Sequence, residues 1–167
     1  MKRIFSRYDM EYYTFFKQVL HDLDLADKDY LWVISDIEAG SNSDEFFERL
    51  NNDEYSMLLT TKELLELLEI DDAQWIWGVF SAIPSKYANE DLLDVDLPYI
   101  QIFEEDEFNP VKDEPKLQHP FAEFEIYSVD SSFMFMIADD DNIVDKFKKA
   151  YPKYIEDYLP DDFFQIN

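Results

Sequence analysis

The stretch Gln74–Pro84, Gln-Trp-Ile-Trp-Gly-Val-Phe-Ser-Ala-Ile-Pro, is the longest apolar run in the sequence and decides the fold. Its length of about ten residues, its β-branched and aromatic side chains and the closing Pro84 favour a strand over a helix. Apolar residues stand at consecutive positions, which is typical of a strand buried on both faces, so we expect it in the centre of a sheet. Gly78 within this strand predicts a bulge or a close approach of the backbone.

Shorter segments before this strand alternate between strand and helix patterns. Thr60 and Glu63 form a capping box, which predicts a helix that begins directly after a strand. Ser43 can cap another short helix, and Asp9 can cap an amphipathic one. The predicted strands are 2–8, 30–35 and 55–60, the predicted helices are 10–23, 44–51 and 61–69, and a loop is expected at 39–43.

The segments after the central strand predict a long irregular connection, a hairpin and a helix. Residues 85–120 contain one predicted helical turn, an acidic run and four prolines, so we expect a long loop that either binds a partner or only connects its neighbouring strands. The hairpin joins 121–129 to 132–138, and a helix capped by Asp140 or Asp141 follows up to residue 150, with a short helix at 154–159. The sequence thus predicts a single α+β domain over residues 1–167, with a mainly antiparallel sheet and helices packed on one side.

The charge of the chain limits its partners. There are 39 acidic and 14 basic residues, which give a formal net charge of -25. Such a chain repels nucleic acid and anionic membranes, and it attracts basic proteins and divalent cations. No apolar run reaches the roughly 18 residues of a membrane span, no secretion signal is evident and there is no cysteine, so we expect a soluble, cytoplasmic protein without disulfides or thiolate sites.

Acidic residues crowd the middle of the chain. Between Glu63 and Glu107 there are thirteen acidic residues and a single basic one, Lys86. Spaced carboxylates on a rigid surface can imitate the phosphates of nucleic acid and cover the cationic site of a basic toxin, nuclease or defence protein. We therefore predict a non-enzymatic binding protein without metal or cofactor, whose partner-binding residues are Asp71, Asp72, Glu90, Asp91, Asp94, Glu104, Glu105, Asp106 and Glu107.

Two other interpretations remain open. Asp36 and Glu38 follow a predicted strand and, with His119, suggest a metal-dependent hydrolase. The sequence has no glycine-rich phosphate loop and no hydrolase motif, and the acidic run 139–142 lacks the glycine and the later glutamate of a calcium loop. The acidity can also serve solubility alone, in a housekeeping domain with no dedicated partner.

Several segments resemble a family of small acidic bacterial proteins that is uncharacterised. The resemblance rests on Leu-Trp-Val-Ile-Ser-Asp-Ile-Glu (31–38), Leu-Leu-Thr-Thr-Lys-Glu-Leu-Leu (58–65) and Trp-Ile-Trp-Gly-Val-Phe-Ser-Ala (75–82). Gln-His-Pro-Phe-Ala-Glu-Phe-Glu-Ile (118–126) and Asp-Ser-Ser (130–132) fit the same family. The family implies no catalytic residue. In its general character, which is short, acidic, cysteine-free and rich in aromatic residues, the chain is also similar to immunity proteins of bacterial toxin systems.

Overall fold

An antiparallel sheet with four α-helices forms the α+β fold of the chain in the computed structural model, which describes residues 1–6, 14–50, 56–102 and 107–157. A single 3₁₀ turn at Ser85–Tyr87 follows the central strand. The strands are β1 Lys2–Ser6, β2 Thr14–Phe15, β3 Tyr30–Gly40, β4 Ser56–Thr60, β5 Gln74–Pro84, β6 Phe124–Val129, β7 Phe133–Ala138 and β8 Ile155–Glu156. The helices are α1 Phe16–Asp22, α2 Asp44–Leu50, α3 Thr61–Ile70 and α4 Asp141–Ala150.

The strand β5 lies in the middle of the sheet, as its sequence predicts. The strand order is β4-β3-β5-β6-β7-β1-β8, and β2 pairs with the beginning of β5. Every pair of strands among the described residues is antiparallel. The predicted hairpin is confirmed as β6 and β7, which pair along their whole length from Phe124 with Ala138 to Val129 with Phe133.

All four helices pack on one face of the sheet, which confirms the predicted arrangement. Their apolar stripes pack into one buried cluster with Trp32, Phe80 and Ile126 of the sheet. We call this cluster the helix-face core. The predicted caps at Thr60 and Asp140 are present, whereas α1 begins after Phe15 without a side-chain cap and the predicted cap Asp9 lies outside the described residues. The amide of Glu63 donates to Thr60 Oγ1 at 3.2 Å, and the amide of Asn142 donates to a carboxylate oxygen of Asp140 at 2.8 Å. Because these caps involve only neighbouring residues, the sequence is sufficient to predict them.

The strand β3 is longer than predicted and replaces the loop expected from residue 39. Its pairing with β5 shifts between Ser35 and Glu38, where Asp36 has a φ of 53°. The extra residue is a β-bulge, which reverses the faces to which the following side chains point. Ile34 before the bulge and Ala39 after it therefore both pack against the helix-face core, and the strand continues to Gly40.

Two terminal predictions are corrected by long-range strand pairing. The helix predicted over 10–23 begins only at Phe16, since Thr14 and Phe15 pair with the beginning of β5. The helix predicted over 154–159 is absent from its described part, where Ile155 and Glu156 pair with β1. Backbone hydrogen bonds to distant strands outweigh the local helix pattern in both places. Residues 7–13, 51–55, 103–106 and 158–167, on which parts of the predictions fall, lie outside the described residues.

None of the helices in the described ranges is long and apolar enough to cross a bilayer.

Candidate functional site: an acidic cover on the sheet

The face of the sheet opposite the helices is covered by the irregular connection between β5 and β6. We call its described parts, residues 85–102 and 107–122, the acidic cover. Leu92 is buried against Val33 and Ile83, and Val111 is buried in a second cluster with Tyr127. The cover thus takes the place of a second helix layer, which explains why consecutive residues of β5 are apolar.

The first anchor of the cover is the bulge of β3. Ser35 Oγ donates a hydrogen bond of 2.5 Å to the carbonyl oxygen of Pro98. The amide of Ile100 donates to a carboxylate oxygen of Asp36 at 2.8 Å. The positive φ of Asp36 is a conformation that aspartate tolerates better than most residues. Asp36, which the hydrolase interpretation makes a metal ligand, therefore holds the main chain of the cover in place.

The second anchor is a fully buried carboxylate, Glu125, which has none of its surface exposed. It accepts hydrogen bonds from the amides of His119 at 2.7 Å and Gln118 at 3.0 Å. It also accepts from the hydroxyls of Tyr127 at 2.5 Å and Ser81 at 3.3 Å. Burial raises the pKa of Glu125, whereas the hydrogen bonds from Tyr127, Gln118, His119 and Ser81 act to lower it. Glu125 thus fixes the main chain of the cover at Gln118 and His119 to the sheet by hydrogen bonds.

Gln118 and His119 extend this anchor into the cover itself. The side-chain amide of Gln118 donates to the carbonyl oxygen of Tyr99 at 2.8 Å. His119 Nε2 lies 3.0 Å from the carbonyl oxygen of Leu92. The amide of Phe121 donates to His119 Nδ1, so the ring proton belongs on Nε2. Burial lowers the pKa of His119, which favours the neutral ring that this bonding requires.

The third anchor is Arg3, a buried cation with 3% of its surface exposed. One terminal nitrogen of the guanidinium donates to the carbonyl oxygens of Pro110 at 2.9 Å and Asp113 at 2.6 Å. The other donates to the carbonyl oxygen of Asp157 at 2.8 Å. Burial lowers the pKa of Arg3. The residue fastens the second half of the cover to β1 and to the segment after β8.

The outer surface of the cover is strongly acidic. Its described parts, residues 85–102 and 107–122, contain seven acidic and three basic residues. The predicted binding residues Glu90, Asp91, Asp94 and Glu107 are exposed in it, and Glu104, Glu105 and Asp106 lie outside the described residues.

The basic side chains of the cover do not neutralise these acids. Lys86 lies over the ring of Tyr87 at 4.9 Å, and Lys116 lies over the ring of Phe108 at 4.1 Å. The ion pairs within the described ranges all involve other parts of the chain. The carboxylates of the cover therefore keep their charge available to a partner.

Asp71 and Asp72 lie in a different place from the rest of the predicted surface. Asp71 ends α3, where its carboxylate accepts from Ser41 Oγ and from the amide of Asn42. Leu92 of the cover packs against Val33, eight residues before Ser41 on the chain. At about 3.3 Å per residue, this separation corresponds to roughly 25 Å along β3. Asp71 therefore lies beyond the far end of β3 from the cover segment that contains Asp91 and Asp94.

The alternative metal site is not assembled in the described residues. Asp36 bonds to Ile100, Glu38 pairs across the sheet with Trp77, and His119 bonds to Leu92. No three acidic or histidine side chains in the described ranges come together as a set that could hold a metal ion. Sequence reasoning named Asp36 and His119 but missed Arg3 and Glu125, which anchor the cover.

A separate cleft of about 350 Å³ lies between the ends of α1 and α4. It is lined by Asp22, Asp24, Lys146, Lys149 and Ala150. Lys146 pairs with Asp24 at 2.9 Å, so two of the charges in this cleft are already balanced.

A comparison with protein-family models, curated proteins and solved structures finds no match to this chain.

Proposed function

We propose that the protein is a non-enzymatic binding protein that neutralises a basic protein partner, such as a toxin, a nuclease or a defence protein, in the cytoplasm. The acidic cover meets the cationic surface of that partner and blocks its access to nucleic acid or another anionic target. The observation that carries the proposal is the set of exposed carboxylates on the cover that have no ion pair among the described residues.

The anchoring of the cover supports this function. A flexible acidic segment would lose conformational entropy when it binds, whereas a segment that is already ordered loses less. The bonds from Asp36, Glu125 and Arg3 hold the main chain of the cover before a partner arrives. The exposed carboxylates therefore project from fixed positions on the main chain. Such an arrangement favours binding of one specific partner over general attraction to cations.

The charge of the whole chain supports the same function through the rate of association. A net charge of -25 attracts a cationic protein over long distances at low ionic strength. Salt screens this attraction within about 8 to 10 Å under physiological conditions. The proposal therefore requires an association rate that falls steeply as salt is added.

A matched pair of variants tests the proposal. One variant carries Glu90→Gln, Asp91→Asn and Asp94→Asn on the cover. The control carries Asp29→Asn, Glu48→Gln and Asp145→Asn, which are also exposed but lie outside the cover. Each variant lacks three of the 39 acidic side chains, so the two variants have the same net charge.

The partner is first captured from lysate of the native host and identified, and its association with each variant is then measured by stopped-flow or surface plasmon resonance. We expect several-fold slower association with the cover variant and a smaller change with the control. Equal effects in the two variants would mean that only total charge matters and would refute the assignment to the cover. Failure to retain any single basic protein in stoichiometric amount would refute the function itself.

A further inference from the structure

The outer side of β4 is an unpaired edge of the sheet in the part of the chain that the structure describes. β4 pairs with β3 alone and ends the strand order. Its sequence, Ser-Met-Leu-Leu-Thr, contains no charge and no proline. Natural edge strands usually carry such features because an unprotected edge accepts further strands.

Two hydrogen bonds identify the backbone groups that point outwards. Thr61 Oγ1 donates to the carbonyl oxygen of Tyr30 at 3.3 Å, on the side of β3 that faces β4. The amide of Thr60 donates to Glu63 Oε2 at 2.8 Å instead of to β3. Successive residues of an antiparallel strand bond alternately to the two sides. Met57 and Leu59 therefore bond to β3, and the amide and carbonyl groups of Ser56 and Leu58 point away from the sheet.

The side chains of β4 differ between its two faces. Met57 and Leu59 pack against the helix-face core. Leu58 is 40% exposed and lies opposite Val33, on the face of the cover. Val33 is covered by Leu92. The cover segment that contains Leu92 is thus about one strand spacing from Leu58, and it carries the exposed residues Asp91, Asp94 and Asp96.

We propose that β4 binds an added β-strand of the basic partner, in which Lys or Arg alternates with apolar residues. This inference rests on the proposed function and names the site at which the partner docks. The apolar side chains extend the core beside Met57 and Leu59. The basic side chains lay their aliphatic parts over Leu58 and reach the carboxylates of the cover.

Charge decides between this occupant and a second copy of the chain. Pairing of two β4 edges would bring together two molecules that each carry a net charge of -25. Their repulsion opposes such a dimer, whereas a strand rich in Lys or Arg is attracted to the same edge.

A synthetic peptide with the alternating sequence Lys-Val-Lys-Val-Lys-Val-Lys, blocked at both ends, is the probe for the edge. A scrambled peptide of the same composition keeps the charge and loses the alternation. Amide hydrogen exchange is followed by NMR in the native protein with each peptide. In the free protein we expect fast exchange at Leu58 and slow exchange at Met57 and Leu59. The alternating peptide should slow exchange at Leu58, and the scrambled peptide should not.

Two substitutions at Leu58 make the test specific to the edge. Leu58→Pro removes the outward amide and is compatible with an edge strand, because that amide makes no bond to β3. Leu58→Lys keeps the amide and places a positive charge against the peptide, so it carries the test if the proline variant does not fold. We expect about tenfold weaker peptide binding in either variant, from the lost hydrogen bond or the like charge. Leu58→Thr, which keeps the amide and adds no charge, is the control.

The outcomes separate this inference from the proposed function. Unchanged exchange at Leu58 with bound peptide, or equal binding by Leu58→Lys and the native protein, would overturn the docking site and leave the acidic cover as the binding surface. A dimer of the native protein that is lost in Leu58→Lys would overturn it in favour of a second copy. Protection of Leu58 by the peptide, without any basic partner in the host, would count against the proposed function alone.

Discussion

The hydroxyl of Tyr127 donates a hydrogen bond of 2.5 Å to the buried carboxylate of Glu125. The same hydroxyl oxygen accepts from the side-chain amide of Gln118 at 3.2 Å. The amide, the phenol and the carboxyl group thus form a directed chain of hydrogen bonds that ends on Glu125. Because Gln118 belongs to the cover and the other two belong to β6, this chain joins the cover to the sheet.

Tyr127→Phe should destabilise the protein and loosen the cover. The substitution removes a donor from a buried acceptor, which costs about 1 to 3 kcal/mol of unfolding free energy. Urea denaturation measures this loss, and faster amide exchange at Gln118 and His119 would locate it in the cover. Tyr154→Phe is the control, since Tyr154 is 37% exposed and Phe keeps its contact with Lys148. A Tyr127→Phe variant as stable as this control would contradict the role assigned to the chain of hydrogen bonds.

The buried carboxylate of Glu125 should make stability depend on pH. Burial raises the pKa of Glu125 above its ordinary value of 4.5. Between the ordinary and the raised pKa, the folded protein therefore binds more protons at this site than the unfolded chain, so this contribution to stability falls as the pH rises. It is fully present below pH 4.5 and is lost as the pH passes through the raised pKa.

Glu125→Gln isolates this contribution, because glutamine cannot ionise while most other charges stay the same. We expect the unfolding free energy of the native protein, minus that of the variant, to decrease as the pH rises above about 4.5. Urea denaturation at a series of pH values measures the difference. His119, whose pKa burial lowers, is present in both proteins and cancels to first order. A difference that increases with pH would show that the hydrogen bonds to the carboxylate outweigh its burial.

The sequence predicts the elements that depend on near neighbours or on one long apolar pattern. Gln74–Pro84 is observed as β5 with the predicted bounds, and the capping box at Thr60 is present. The sequence does not predict that Glu125 is buried, because the cover that buries it comes from another part of the chain. The strand predicted from the alternating pattern is observed as β6. A glutamate in such an alternating strand is, however, normally exposed. The apolar neighbours Tyr127 and Val129 on the same face were the signal that this face is also covered.

Replacement of Asp36 should show what its backbone conformation and its hydrogen bond contribute together to stability. Asp36→Ala places a less tolerant residue at a φ of 53° and removes the acceptor for the amide of Ile100. These two effects together should lower the unfolding free energy by about 2 to 3 kcal/mol. Asp36→Asn tolerates the same backbone and keeps an acceptor oxygen, so it should lose about 1 kcal/mol or less. Thermal and urea denaturation of both variants give the comparison, and equal losses would contradict both the backbone contribution and that of the hydrogen bond.

The two glycines of the chain should respond differently to alanine. A Cβ atom at Gly78 would lie 3.3 Å from the ring of Phe80, so this buried ring would have to move by a few tenths of an ångström, whereas the distance of 3.6 Å to the indole of Trp75 is an ordinary contact. A Cβ atom at Gly40 would meet nothing closer than 3.9 Å. Neither glycine has a positive φ, so alanine gains about 0.4 to 1 kcal/mol at both sites by restricting the unfolded chain.

At Gly40 this gain should appear as a small increase in stability. At Gly78 the overpacking, typically about 1 to 3 kcal/mol, should exceed the gain and leave a net loss. Differential scanning calorimetry of the two variants tests the prediction, and near-ultraviolet circular dichroism of the buried aromatic residues reports whether their packing changes. If Gly78→Ala were as stable as Gly40→Ala, the ring of Phe80 would not require a glycine beside it. The close approach expected from the sequence of β5 would then have no energetic consequence.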